Sequence, residues 1–243
     1  MVMETKDAAD WPEIRSSYKR PFDLTVLIMA HLAFLPLWLL LWTMIPLAIW
    51  IGDRGPIFYR QERTGKDNQV FTIFKFRTMV PDADLKGPAW TMQDDVRLTR
   101  VGRFLRRTAL DELPGLWCIM KGDMSLVGPR ALNVEEHQQL EHQIPGFEAR
   151  LRVKPGLTGM AQIFDSADQA TDKLAYDLEY AEHMSLWLDA KLLILSIKNT
   201  ITARWDRRVG KSTMADIEPN PQNPRVHLDA TNKNHRAVDK DKT

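Results

Sequence analysis

Asp111 and Glu112 are adjacent in the run Leu110-Asp-Glu-Leu-Pro114, between an arginine-rich stretch and the segment Lys121-Gly-Asp-Met-Ser-Leu-Val-Gly-Pro-Arg130. Two acids crowded among cations suit phosphate chemistry. An ordinary aspartate is ionised at neutral pH and repels a polyanionic phosphate, by roughly 1 kcal/mol at 4 Å in water and about 4 near a protein surface. Arginines, or a divalent ion, must cancel that repulsion. A carboxylate can also act as nucleophile and form an acyl phosphate that a second acceptor discharges. Asp111 is the candidate for that role, and Glu112 can join it in holding Mg²⁺, a hard ion usually bound by one or two carboxylates with substrate phosphates and water. A bare Asp-Glu pair in another context would read as an N-terminal helix cap.

Further cations fall near this pair. Lys75 and Arg77 alternate with Phe74 and Phe76, so on a strand the two charges share one face and the rings the other. Such a face suits a phosphate beside a membrane, and it equally describes a strand with one wet side. Gly128-Pro-Arg130 and Lys154-Pro-Gly-Leu-Thr-Gly159 set cations beside turn-forming residues, a pattern shared by anion-binding loops and many inert turns. The six histidines show no metal-ligand spacing, and no Walker loop, dinucleotide fingerprint or nucleophile elbow is present. The single cysteine, Cys118, excludes an internal disulfide framework.

The elements that must carry these residues begin with an apolar run. Leu24 through Gly52 contain no Asp, Glu, Lys or Arg, which is too long for a signal-peptide core. A continuous helix there would reach about 43 Å, but Pro36 breaks or kinks it into arms of about 18 and 24 Å, each short of a hydrocarbon core of roughly 30 Å. Arg15, Lys19 and Arg20 precede the run and Arg54, Arg60, Arg63 and Lys66 follow it, so both ends favour the cytoplasmic side. A hairpin that enters and leaves by one face and a tilted single span with a proline kink both satisfy this pattern. Trp38, Trp42 and Trp50 fit lipid or interfacial placement.

After the membrane segment, Gly55–Tyr59 and Val70–Arg77 alternate aromatic and β-branched residues around Thr64-Gly-Lys-Asp-Asn68, the mark of a β-hairpin. Val96 to Arg107 turns helical, with Val101, Phe104 and Leu105 on one arc and Arg100, Arg103 and Arg107 on the next, as in an interfacial helix whose arginine stems snorkel. Thr108 or Asp111 can cap a helix with Pro114 in its first turn. Further helices are expected over Val134–Leu151 and Asp172–Arg204. At 243 residues, 27% charged and 44% hydrophobic, the chain divides into a polar leader (1–18), a membrane segment (19–52), one compact domain (53–205) and a mostly disordered polar tail (206–243).

Taken together, the motifs resemble the bacterial sugar transferase family, the small monotopic phosphoglycosyl transferases. The likeness runs from about Lys19 to Arg204 through Lys19-Arg20 with Asp23, Gly55-Pro56, Tyr59-Arg-Gln61, Lys75-Phe-Arg-Thr-Met79, Leu110–Pro114, Lys121–Arg130, Pro155-Gly-Leu-Thr-Gly-Met-Ala-Gln162, and Ser185 with Asp189. The resemblance implies a mixed α/β fold: a re-entrant helix-break-helix with its break near Pro36, and a compact catalytic domain at the cytoplasmic face of the bacterial inner membrane. It implies that Asp111 attacks a UDP-sugar, releasing UMP, and that the phospho-sugar passes to undecaprenyl phosphate to begin exopolysaccharide, lipopolysaccharide or glycoconjugate synthesis. Glu112 completes the dyad with Mg²⁺, and Lys75, Arg106, Arg130 and Asp189 match positions lining the site. The chain departs from the family pattern at Asn68, where glycine is usual, at Ala131, where a second proline is usual, and at Asp165-Ser166, where a Gly-Arg pair is common.

The implied partners are a UDP-sugar, undecaprenyl phosphate and the lipid bilayer, with a homodimer compatible. Nucleic acid is not among them, since the cations sit beside acids and no RNA or DNA module is recognisable. A catalytically silent membrane scaffold is the alternative reading, and the intact Asp111-Glu112 pair argues against it.

Overall fold

The computed structural model describes residues 16–83, 95–164 and 170–202. Most of the polar leader, the tail from 206 and the Asp165-Ser166 pair lie outside them. The described residues form a helix-rich mixed fold with two small two-stranded sheets.

The apolar run folds as two helices, α1 (Lys19–Ala33) and α2 (Leu35–Asp53), of about 22 and 28 Å. The break is at Phe34 (φ −117°, ψ 28°), with Pro36 in the first turn of α2, so the expected break at Pro36 moves two residues towards the N-terminus. Proline has no N–H to offer the carbonyl of Leu32, whereas in a first turn that donor is unneeded anyway. The arms close on each other: His31 stacks on Trp38 at 4.4 Å, and Trp38 Nε1 donates to the Ala30 carbonyl at 3.1 Å. Pro46 lies inside α2, and the helix continues through it.

The hairpin strands are β1 (Phe58–Thr64) and β2 (Val70–Phe76), antiparallel with Tyr59 opposite Lys75 and Arg63 opposite Phe71. β1 therefore begins three residues after Gly55 and extends through the charged residues to Thr64, because Gly55-Pro56 cannot join the ladder. The turn places Asp67 and Asn68 in the left-handed region, at φ 54° and 60°, which Asn and Asp accept more readily than most residues.

Helix α3 (Arg100–Thr108) starts later than the arginine pattern suggests. Thr99 caps it by accepting from the Gly102 amide at 2.8 Å, and Val96 is left exposed. Thr108 is no N-cap: its hydroxyl donates back to the Phe104 and Leu105 carbonyls. Asp111 is no cap either. Ala109 turns left-handed (φ 55°), and Leu110–Gly115 follow as a 3-10 turn leading into the short α4 (Leu116–Lys121), which has no side-chain cap.

The strands β3 (Ser125–Val127) and β4 (Gly156–Thr158) pair in parallel. They approach so closely that a Cβ on Gly156 would stand 2.1 Å from the Gly128 amide, and one on Gly128 would stand 2.3 Å from the Lys154 carbonyl; no side chain fits at either place. The expected helix Val134–Leu151 is split into α5 (Val134–Gln143) and a 3-10 turn, Phe147–Arg152, because Pro145-Gly146 (φ 78°) stops it. α6 (Met160–Phe164) follows β4. The expected helix Asp172–Arg204 divides into α7 (Ala170–His183) and α8 (Leu186–Ile201) at Ser185, whose hydroxyl caps α8.

Both apolar helices are built into the domain. Leu27 of α1 belongs to the main core with Ile119, Val127 and Leu192, while Ile45 and Ile49 of α2 join Phe76 and Leu105. Polar contacts tie the same two ends. Lys19 Nζ donates to the Val127 carbonyl (2.7 Å), Tyr180 Oη (2.7 Å) and Asp189 (2.8 Å), which uses all three of its protons. Arg20 donates to the carbonyls of Ile119 and Met120. Asp23 accepts from Ser125 Oγ and the Leu126 amide, and Asp53 pairs with Arg77. The residues around the turn between the arms, Ile28 to Leu40, include many exposed large apolar side chains.

Candidate active site

The left-handed Ala109 swings the chain out of α3 so that Asp111 and Glu112 face β2 from the 3-10 turn. Both are largely shielded, Asp111 at 8% and the Glu112 side chain at 19% exposure. Lys75, on β2, donates from Nζ to Glu112 Oε1 at 2.6 Å, and Arg130 Nη2 lies 3.8 Å from the same oxygen. Arg63, Lys75, Glu112 and Arg130 line one recess, floored by Ile73, Met124 and Leu157 with Gln162 at its side. Three cations there face a single carboxylate.

The two acids have been driven apart electrostatically. Burial pushes Glu112 upward, but Lys75, Arg130 and Arg63 together outweigh it and hold that carboxyl at about 2. Asp111 moves the other way: burial raises it, Lys75 pulls it back, Glu112 pushes it up again and Arg106 opposes, with a net rise. Such a split separates roles. Glu112 is a fixed anion, and Asp111 is the more basic carboxylate of the pair, which suits a nucleophile. The Lys75 ammonium is lowered by burial against the pull of Glu112. Burial and the like charge of Arg130 bring Arg63 down to about 10, still cationic at neutral pH.

The expected site residues do not all meet. Lys75, Glu112 and Arg130 line the recess; Asp111 and Arg106 are not among its lining residues, and Arg106, which donates from Nε to Thr78 Oγ1 at 3.0 Å, acts electrostatically on Asp111. Arg77 is not among the residues lining the recess. It follows the end of β2, its amide donates to the Ile57 carbonyl, and its guanidinium packs on Gly55 and pairs with Asp53 at the end of α2. Asp189 is fully buried in the network with Tyr18, Lys19 and Tyr180. Two polar lining residues escaped the motif reading. Arg63 had the look of a membrane flank, but its place on β1, opposite Phe71, turns it inward. Gln162 closed a recognised motif without being singled out.

Among the described residues no three His, Cys, Asp or Glu side chains gather as a metal site. Asp111 and Glu112 offer two hard oxygen donors, the set that Mg²⁺ takes when substrate phosphates complete its shell.

Comparison with known proteins places the chain among relatives. The family model described as "Bacterial sugar transferase" matches residues 14–203. The chain is 40% identical over 213 residues to the "Undecaprenyl-phosphate glucose phosphotransferase" of Komagataeibacter xylinus, covering 84% of this chain and 39% of that protein. It is 39% identical over 159 residues to the "UDP-glucose:undecaprenyl-phosphate glucose-1-phosphate transferase" of Escherichia coli K12, covering 63% and 34%. Against the Caulobacter vibrioides protein of the same name it is 36% identical over 190 residues, covering 76% and 70%. The chain thus spans about two fifths of the K. xylinus protein and a third of the E. coli one. With the family model matched across most of its length and a buried carboxylate pair among cations, this chain belongs to the bacterial sugar transferase family.

Proposed function

We propose that the chain is a phosphoglycosyl transferase that moves a sugar 1-phosphate from a UDP-sugar to undecaprenyl phosphate. The observation that carries this reading is the split carboxylate pair, Glu112 locked to Lys75 at 2.6 Å beside a more basic Asp111. The relatives' names supply the substrate class: UDP-glucose and undecaprenyl phosphate are those of the E. coli and C. vibrioides proteins.

In this mechanism an Asp111 carboxylate oxygen attacks the β-phosphorus of the UDP-sugar. The bond from that phosphorus to the bridging oxygen breaks, and UMP leaves with the electron pair. An oxygen of undecaprenyl phosphate then attacks the aspartyl phospho-sugar and frees Asp111. Lys75, Arg130 and Arg106 offset the charge of the diphosphate, and Glu112 keeps Lys75 oriented. Asp111 and Glu112 would hold Mg²⁺, which supplies further neutralisation of phosphate charge.

A lipid acceptor requires a membrane. α2 is the one described helix long and apolar enough to cross a bilayer, yet both arms end against the same domain. This supports a re-entrant hairpin at the cytoplasmic face of the inner membrane over a span. The exposed residues Trp187, Ile194, Ile197 and Ile201 fall on one arc of α8, and Phe104 and Trp117 are exposed as well. These side chains suit a domain resting on lipid.

The test incubates solubilised protein with a UDP-sugar panel, undecaprenyl phosphate and Mg²⁺, and identifies the nucleotide released. UMP is expected, and UDP would point to an ordinary glycosyl transferase. No release from any sugar would favour a silent scaffold. Asp111→Asn should lower UMP release by at least about a thousandfold while membrane association persists, and substantial residual turnover would remove Asp111 from the nucleophile role.

A further inference from the structure

Arg130 carries a half-exposed guanidinium at the mouth of the recess, so its aim depends on how firmly its backbone is held. Four successive carbonyls of that loop are each gripped. The Gly156 amide donates to the Pro129 carbonyl (2.9 Å) and the Thr64 amide to the Leu132 carbonyl (3.0 Å). The two carbonyls between them take side chains: Arg150 Nη2 donates to the Arg130 carbonyl at 2.7 Å, and Arg63 Nη1 to the Ala131 carbonyl at 2.8 Å. Both guanidiniums are well shielded. Arg150 is itself fixed by Asp177, Nε to Oδ2 at 2.8 Å, and by the Phe147 ring at 5.1 Å. Buried carbonyls need donors, and charged donors make the stronger bonds.

We propose that Arg150 and Arg63 are positioning residues for diphosphate recognition, clamping adjacent carbonyls of the 130–131 loop so that the Arg130 guanidinium is aimed into the recess beside Glu112. This rests on the phosphoglycosyl transferase reading for the identity of the anion. Arg150 is not among the residues lining the recess, whereas Arg63 lines it as well as holding the loop. The action of Arg150 passes through Arg130, and that dependence separates a clamp from plain structural support.

The experiment is a pair of double-mutant cycles on the full-length, solubilised protein. Arg150→Lys and Arg63→Lys keep a positive charge but lose the planar fork that grips a carbonyl while bound elsewhere. Each is made in the native background and in Arg130→Gln. KM and kcat are measured with a UDP-sugar that the native protein turns over, alongside UDP affinity by calorimetry and the thermal midpoint. In the native background each Lys variant is expected to raise KM and the UDP Kd roughly tenfold, with kcat within about threefold. In the Arg130→Gln background Arg150→Lys should cost less than about twofold, whereas Arg63→Lys keeps the part of its loss that comes from lining the recess. Equal losses for Arg150→Lys in both backgrounds, or a lowered midpoint with KM and Kd unmoved, would overturn the clamp and leave an ordinary structural arginine. If Arg150→Lys loses its thermal transition, Asp177→Asn, which loosens the anchor of Arg150, replaces it in the cycle. Should the native protein release no UMP from any sugar, the function reading fails, and the calorimetric UDP cycle still decides the clamp.

Discussion

Lys75 and Arg77 are two residues apart and look interchangeable in the sequence, but their surroundings give them different work. Lys75 reaches Glu112 in the recess, whereas Arg77 closes the joint between α2 and the hairpin through Asp53. Replacing Lys75 by Met removes a charge-assisted hydrogen bond of about 1.5–3 kcal/mol and should lower kcat/KM by roughly ten- to a hundredfold. Arg77→Met instead breaks a partly buried ion pair and should cost about 2 kcal/mol of stability, with kcat/KM changed by less than about threefold. Thermal unfolding and UMP release, measured on both variants, check the contrast. A tenfold rise in KM for Arg77→Met at an unchanged midpoint would restore Arg77 as a phosphate ligand.

The α1–α2 pair shows how one element is shaped by its ends. Charge and amide contacts at Lys19, Arg20 and Asp23 fix the start of α1 to the domain, and Asp53 fixes the end of α2 to the same domain. Between them the proline-induced break turns the chain, and Trp38 closes the turn against His31. A hairpin leaves Ser17 and Gln69, both exposed, on one side of the membrane. Single cysteines at Ser17 and Gln69 should therefore both resist an impermeant maleimide added to intact spheroplasts and both react after lysis. The native Cys118 is buried, so it adds little background. Reaction of one position alone before lysis would establish a span.

Across the described residues, helix α8 packs one arc on the core and leaves large apolar side chains exposed on another. The core brings α1, α4, the parallel strands and α8 together around Ile119, Val127 and Leu192, while α8 leaves its opposite arc bare, with Trp187 80% exposed. A soluble surface seldom carries so much uncovered apolar area. In vesicles with brominated lipids, Trp187→Phe should remove a measurable part of the quenchable tryptophan emission. An unchanged quenched fraction would place that face of α8 in water.

The sequence by itself determined the family and the local geometry that depends on near neighbours. An uncharged run with Pro36 announced a broken apolar helix, and the ordered motifs announced the family. Among the described residues, period and turn residues located the hairpin and the helical stretches approximately, though not the breaks inside two of them, because those signals are set by residues a few positions apart. What only the tertiary structure decided was where long side chains end. Asp111 and Glu112 sit in a 3-10 turn because the domain holds Ala109 left-handed. Arg77 and Asp189 left the expected site for buried ion pairs, and Arg63 entered it, because each cation or acid found its lowest energy with a partner tens of residues away. Pairing across such distances depends on burial and charge summed over the packed chain, and neither is written in any local pattern.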